Sequence, residues 1–153
     1  MNRKNVISSH KNEPVIMKAA KVIMLLLSLY YSCAMPILTG AGLISNRVSY
    51  GSRLAETGAF FIFAAVLMSL GAVLCLFRKK LANIISAFLS VGGLVLCMIM
   101  LKRLTDHADA SGWTDKFTLE PISAMYESRL LPCIAPVVIA VVIAAARIFS
   151  RDD

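Results

Sequence analysis

The chain has 153 residues, 58% of them hydrophobic, and a formal net charge of +7. An apolar share above the roughly 45–50% of soluble proteins excludes an ordinary water-soluble domain. The positive charge flanks apolar runs instead of covering a surface, which excludes a nucleic-acid partner and leaves a small polytopic membrane protein.

Residues 1–13 are polar and basic without any hydrophobic period, and are expected to form a flexible cytoplasmic lead. Pro14 suits a first helical turn, so one membrane domain is placed at 14–149, followed by a cytoplasmic tail at 150–153. Four runs in this domain, at about 22–46, 57–77, 81–101 and 130–146, contain no Lys, Arg, Asp, Glu or His. Each approaches or exceeds the about 17–25 residues a helix needs to cross a bilayer, so the expected fold is all-α, a four-transmembrane-helix bundle.

In the first run, Ser32-Cys33-Ala34 after a basic leader imitates a signal-peptide cleavage site. The apolar stretch is longer than the roughly 7–15 residues of a signal's hydrophobic region, so a retained span is expected. Pro36 predicts a kink, with Gly40 and Gly42 loosening the helix beyond it. The second and third runs should form an antiparallel pair closed by Arg78, Lys79 and Lys80. Residues 102–129 form the one sizeable polar connection, divided at Ser111-Gly112 and at Pro121, with 121–129 expected as a short surface helix. The fourth run carries Pro132 in its first turn and Pro136 inside.

Ten Lys and Arg lie on the side holding residues 1–21, the turn 78–80 and the segment after Ala146, against six on the side of 47–56 and 102–129. Acidic residues neutralise the second side, so the net charge belongs to the first. The positive-inside rule then predicts a multi-pass cell-membrane protein with both termini cytoplasmic.

Helices in lipid associate through close packing, so small residues on one face mark contacts. On the third helix Ala82, Ser86, Ser90, Gly93 and Cys97 share one side at 100° per residue. The fourth offers Cys133, Pro136, Ala140 and Ala144, the second Gly58, Ala65, Ser69 and Ala72, and the first a more polar stripe of Ser28, Ser32, Thr39 and Gly42. The predicted packing interface therefore includes Ala82, Ser86, Ser90, Gly93, Cys97, Ala140 and Ala144. Cys33, Cys75, Cys97 and Cys133 lie in spans, outside any C-x-x-C motif, and read as small buried apolar residues. Cys97 and Cys133 are expected in the outer halves of neighbouring helices, where a disulfide is conceivable but nothing in the sequence supports one.

Chemistry has little foothold in this pattern. Asp106, His107 and Asp109, followed by Asp115 and Glu120, offer oxygen and imidazole ligands, yet match no recognised metal loop and read equally as a solvated helix extension. No catalytic, metal or cofactor site is expected. The expected function is a non-catalytic scaffold, accessory subunit or regulator, with the lipid bilayer and either a protein partner or a homo-oligomer as its company. The first alternative is a small oligomeric channel or carrier, its path lined by Ser28, Ser32, Thr39, Ser69, Ser86 and Ser90. A membrane enzyme would have to rest on the outer carboxylates and His107.

Overall fold

The computed structural model describes Leu26 and residues 30–77, 79–114 and 120–149. The lead 1–13, the first part of the first expected span with Ser28, the turn residue Arg78, the segment 115–119 with Asp115, and the tail 150–153 lie outside the described residues. Within them the chain forms a π-helical turn Tyr30–Ala34, then α1 (Met35–Ser45), α2 (Arg47–Tyr50), α3 (Ser52–Leu74) and α4 (Lys80–Ala110). α5 (Ile122–Leu130), a 3-10 turn (Leu131–Cys133) and α6 (Ile134–Phe149) complete the order. Among the described residues the regular elements are all helical, apart from an isolated bridge between Thr114 and Pro121.

Among the described residues three helices are long and apolar enough to cross a bilayer: α3, α4 and the continuous rod Ile122–Ala146, of 23, 31 and 25 residues. At about 1.5 Å per residue, even the shortest covers the about 30 Å hydrocarbon core. Their outward faces carry Phe63, Leu70, Phe88, Val95, Val138 and Val142, with Phe88 77% exposed. The inward faces hold much of the small-residue content, including Ala64, Ala65, Ser86, Ser90, Gly93 and Ala144. Bulky apolar residues outside and small ones inside suit helices that pack closely in an apolar medium.

α3 packs between α1 and α4, and α4 between α3 and α6, while α6 reaches back to the π turn and closes the ring. The chain direction puts the α3–α4 turn at one end, the Lys79 end. The opposite end, the Trp113 end, gathers the end of α1, α2, the start of α3, the end of α4 and α5.

Several boundaries differ from the hydropathy pattern for a common reason: a helix's buried face continues after its outer face turns polar. α3 starts at Ser52, before the apolar run at Thr57, because Leu54 and Thr57 already face inward while Arg53 and Glu56 remain exposed. Gly51 precedes it at φ +84, a left-handed backbone that separates α2 from α3 and that a side chain would strain. α4 runs past Leu101 to Ala110 because Leu101, Leu104, Thr105 and Ala108 continue one buried stripe beside exposed Lys102, Arg103 and Asp106. Its end is a Schellman motif: Trp113 N–H donates to the Ala108 carbonyl at 2.9 Å and Gly112 N–H to that of Asp109 at 3.1 Å, with Gly112 at φ +64. The expected loop 102–129 is thus helical over its first nine residues and again from Ile122.

Proline placement obeys the same local logic. The π turn immediately precedes Met35-Pro36, where a widened turn accommodates a ring that lacks a donor and crowds the preceding carbonyls. Pro132 sits in the tight 3-10 turn, and because α6 restarts at Ile134, Pro136 falls in its first turn, where a missing N–H is not needed. α5 therefore leads through this turn into α6, and Ile122, Met125 and Tyr126 are each half-buried.

The α3–α4 turn is closed by Asn83, which is fully buried. Its Nδ2 donates to the carbonyls of Phe77 at 3.2 Å and Lys79 at 3.1 Å, capturing backbone acceptors that the turn would otherwise leave open.

Candidate functional site

Two regions gather the residues from which a function could be built: the helix contacts inside the bundle and a groove at the Trp113 end.

Inside, Ser86, Ser90, Gly93 and Cys97 are buried and Ala82 is half-buried on α4, while Ala140 and Ala144 are buried on α6. Ser86 Oγ donates to the Gly71 carbonyl of α3 at 2.6 Å, a buried bond that fixes the register of the two helices. A β-carbon at Gly71 would collide with Ser90 Oγ and lie 3.0 Å from the Ser86 carbonyl oxygen. One at Gly93 would lie 2.7 Å from Met68 Cγ and 2.9 Å from the Ala64 carbonyl oxygen. A second crossing joins α1 to α3, where Gly40 and Gly58 meet face to face: a β-carbon on Gly58 would stand 2.6 Å from the Gly40 carbonyl oxygen.

Gly71, Ala64 and Asn83 carry contacts that the small-residue pattern did not single out. For Gly71 the signal was present in a glycine inside an apolar helix, whereas Asn83 acts through turn carbonyls that only the folded hairpin brings near. The contact face of α1 is Pro36, Gly40 and Leu43, preceded by Ser32 in the π turn. Thr39 is half-buried, and Gly42 is exposed with nothing within 4 Å of a β-carbon built there.

Several hydroxyl groups of these helices bond to backbone carbonyls. Ser69 Oγ donates to Ala65 O at 2.7 Å and Thr57 Oγ1 to Arg53 O at 3.0 Å. Ser32 and Ser90 hydroxyls are buried without a hydrogen-bond partner.

At the Trp113 end, Met35, Leu38, Thr39, Leu43, Tyr126 and Arg129 help line a groove of about 450 Å³, completed by Gly42, Asn46 and Tyr50. Asn46 Nδ2 donates to the Gly42 carbonyl at 2.9 Å. The Trp113 ring lies 5.0 Å from that of Tyr50 and 5.4 Å edge-on from that of His107, tying α2 to the end of α4. A lining that combines Met35, Leu38 and Leu43 with one guanidinium and two phenol rings has the chemistry to receive an amphiphile with an anionic head.

Asp106, His107 and Asp109 are exposed on the last turns of α4, and Glu120 is exposed beyond them. Among the described residues no three His, Cys, Asp or Glu side chains converge in a way that could hold a metal ion. Replacing Asp106, His107 and Asp109 together with Ala is expected to change stability in detergent by no more than about 1 kcal/mol, because two carboxylates leave a helix C-terminus while one edge-on ring contact is lost. Thermal melting of the purified variant checks this, and a large loss, or one equivalent of metal retained by the wild type after dialysis, would restore the metal-site reading. Comparison with protein-family models, curated proteins and solved structures finds no match.

Proposed function

We propose that this chain is a four-span protein of the cell membrane with both termini cytoplasmic, acting without catalysis as a scaffold, accessory subunit or regulator of a larger membrane assembly. The observation that carries this reading is the use made of its small and hydroxyl residues. Ser86, Ser90, Gly71 and Gly93 are taken up in the α3–α4 contact, and Ser69 and Thr57 bond to their own helix. Of the groups that would have lined a path for ions or solutes, Ser86 and Ser69 are hydrogen-bonded to backbone carbonyls and Ser90 is packed against Gly71, which disfavours the channel reading. Broad exposed faces of Phe, Leu and Val remain for lipid, for a partner's helices or for a second copy. The orientation is supported by the ten-to-six division of Lys and Arg.

Two measurements test the proposal. Reporter fusions after Asp153 and within residues 108–112 should report cytoplasmic and external locations respectively, and an external C-terminus would reject the topology. Affinity purification in mild detergent should recover a defined membrane partner or a homo-oligomer, and purified protein in liposomes should leave ion and solute permeability unchanged. Selective flux through the purified protein would replace this reading with the channel.

A further inference from the structure

Helix packing leaves Gly42 of α1 unused: a β-carbon there meets nothing within 4 Å, and the residue lines the groove at the Trp113 end together with Thr39. Leu38, beside them, is 64% exposed. At about 100° per residue Met35, Leu38, Thr39, Gly42 and Asn46 share one face of the helix. The groove therefore follows α1 for about 16 Å, close to half of the ~30 Å hydrocarbon core, the depth of one leaflet. Along that length the lining changes from apolar to polar: Met35 and Leu38 come first, and Asn46 ends the face beside Tyr50 of α2. α5 supplies the other wall, where Tyr126 and Arg129 are three residues apart and so lie on one side of their helix. Both walls turn from apolar to charged where they meet, since the uncharged run of α1 ends at Asn46, before Arg47, and that of α6 begins at Leu130, after Arg129. Arg129 carries the only formal charge among the described lining residues.

We infer that this groove is a binding site for an anionic phospholipid of the leaflet at the Trp113 end, with its phosphodiester on Arg129 and one acyl chain along Leu38 and Met35. A guanidinium meets phosphate oxygens with paired N–H donors, and the hydroxyls of Tyr50 and Tyr126 add donors to the same lining. The volume of about 450 Å³ falls within the roughly 300–1,000 Å³ of small-molecule sites, so the groove takes a head and one chain and leaves the second chain in the bilayer. The open side at Leu38 suits a lipid that stays part of its leaflet, whereas a free fatty acid would call for an enclosed pocket. A zwitterionic lipid would bring an ammonium group to a lining that has no carboxylate among its described residues, and this selects for anionic heads. The inference needs the chain in a membrane but neither the scaffold role nor a particular orientation, so it can fail while both of those hold.

Native mass spectrometry of the purified full chain in mild detergent, titrated with dioleoylphosphatidylglycerol or dioleoylphosphatidylcholine, tests the site. The wild type should retain one phosphatidylglycerol about tenfold more tightly than phosphatidylcholine, the scale of one charge-assisted hydrogen bond. Arg129→Gln should abolish that preference by weakening phosphatidylglycerol alone. Gly42→Phe should weaken both lipids by filling the groove, and because a β-carbon has open space there, its melting temperature without lipid should match the wild type. This variant decides the matter by itself if Arg129→Gln is not recovered folded. Arg103→Gln, exposed at the same end but outside the groove, should bind as the wild type does. Equal retention of the two lipids by the wild type, equal losses in Arg103→Gln and Arg129→Gln, undiminished retention in Gly42→Phe, or oleate bound in preference to phosphatidylglycerol would each overturn the inference.

Discussion

Gly93→Leu is expected to prevent recovery of a folded, monodisperse protein in mild detergent, while Gly92→Leu leaves it recoverable. The two glycines are neighbours on α4 and differ only in what faces them. A β-carbon at Gly92 meets nothing within 4 Å, whereas one at Gly93 meets Met68 Cγ at 2.7 Å, the Ala64 carbonyl oxygen at 2.9 Å and the Met68 nitrogen at 3.0 Å. Met68 can move its side chain, but the other two atoms belong to the α3 backbone and can yield only if the helices separate. Overpacking a buried site costs about 1–3 kcal/mol, and separation adds the loss of many weak dispersion contacts along the interface. Gly92→Leu also replaces a poor helix former with a good one, worth up to about 1 kcal/mol in the other direction. Melting monitored by circular dichroism in a single detergent compares the pair. Equal melting temperatures would mean that the α3–α4 contact tolerates a wider spacing and that this register is not what holds the hairpin.

The second large effect is expected at the α1–α3 crossing, where even one methyl group is too many. At Gly40 a β-carbon would run into the Gly58 carbonyl oxygen, and at Gly58 into that of Gly40, so relief requires backbone movement. Gly40→Ala and Gly58→Ala should each loosen α1 from α3 and raise alkylation of the half-buried Cys33, which lies just before α1. Gly42→Ala, with open space around it, should leave Cys33 as slow to react as in the wild type. The double variant at 40 and 58 should be little worse than either single one, since the first methyl group has already opened the crossing. If all three single variants alkylate alike, α1 is held by something other than this contact.

Three of the four apolar runs were legible as helices long and apolar enough to span a bilayer, because their length and lack of charge leave few other structures, while the start of the first run lies outside the described residues. Helix ends were less legible, and α4 shows why: average hydropathy falls at Lys102 and Arg103, while the inward series Leu101, Leu104, Thr105 and Ala108 goes on into the last turn. Hydropathy reports what most of the circumference meets, whereas the end of a helix depends on its buried face and its cap. The stripe Ser86, Ser90, Gly93 and Cys97 could be read from helical spacing alone, but the face of α1 could not. Choosing its polar small residues pointed toward Thr39 and Gly42, while the backbone approach is made by Gly40 with Pro36 and Leu43 beside it. Asn83 lies within an apolar run, and its partners are two carbonyl groups that only the folded turn brings beside it. The groove at the Trp113 end is assembled from the adjacent α1 and α2 and from α5, far from both in the chain, and no local pattern announces it.

The inverted distribution of residue sizes has a calorimetric consequence. When the helices of such a bundle part inside a bilayer, the Gly, Ala and Ser faces become exposed to acyl chains and not to water. The large heat-capacity increment of ordinary unfolding comes from hydrating apolar surface, and here little of that surface is hydrated. The free energy holding these helices together should therefore vary almost in a straight line with temperature, without the arched profile of a soluble domain and without its weakening in the cold.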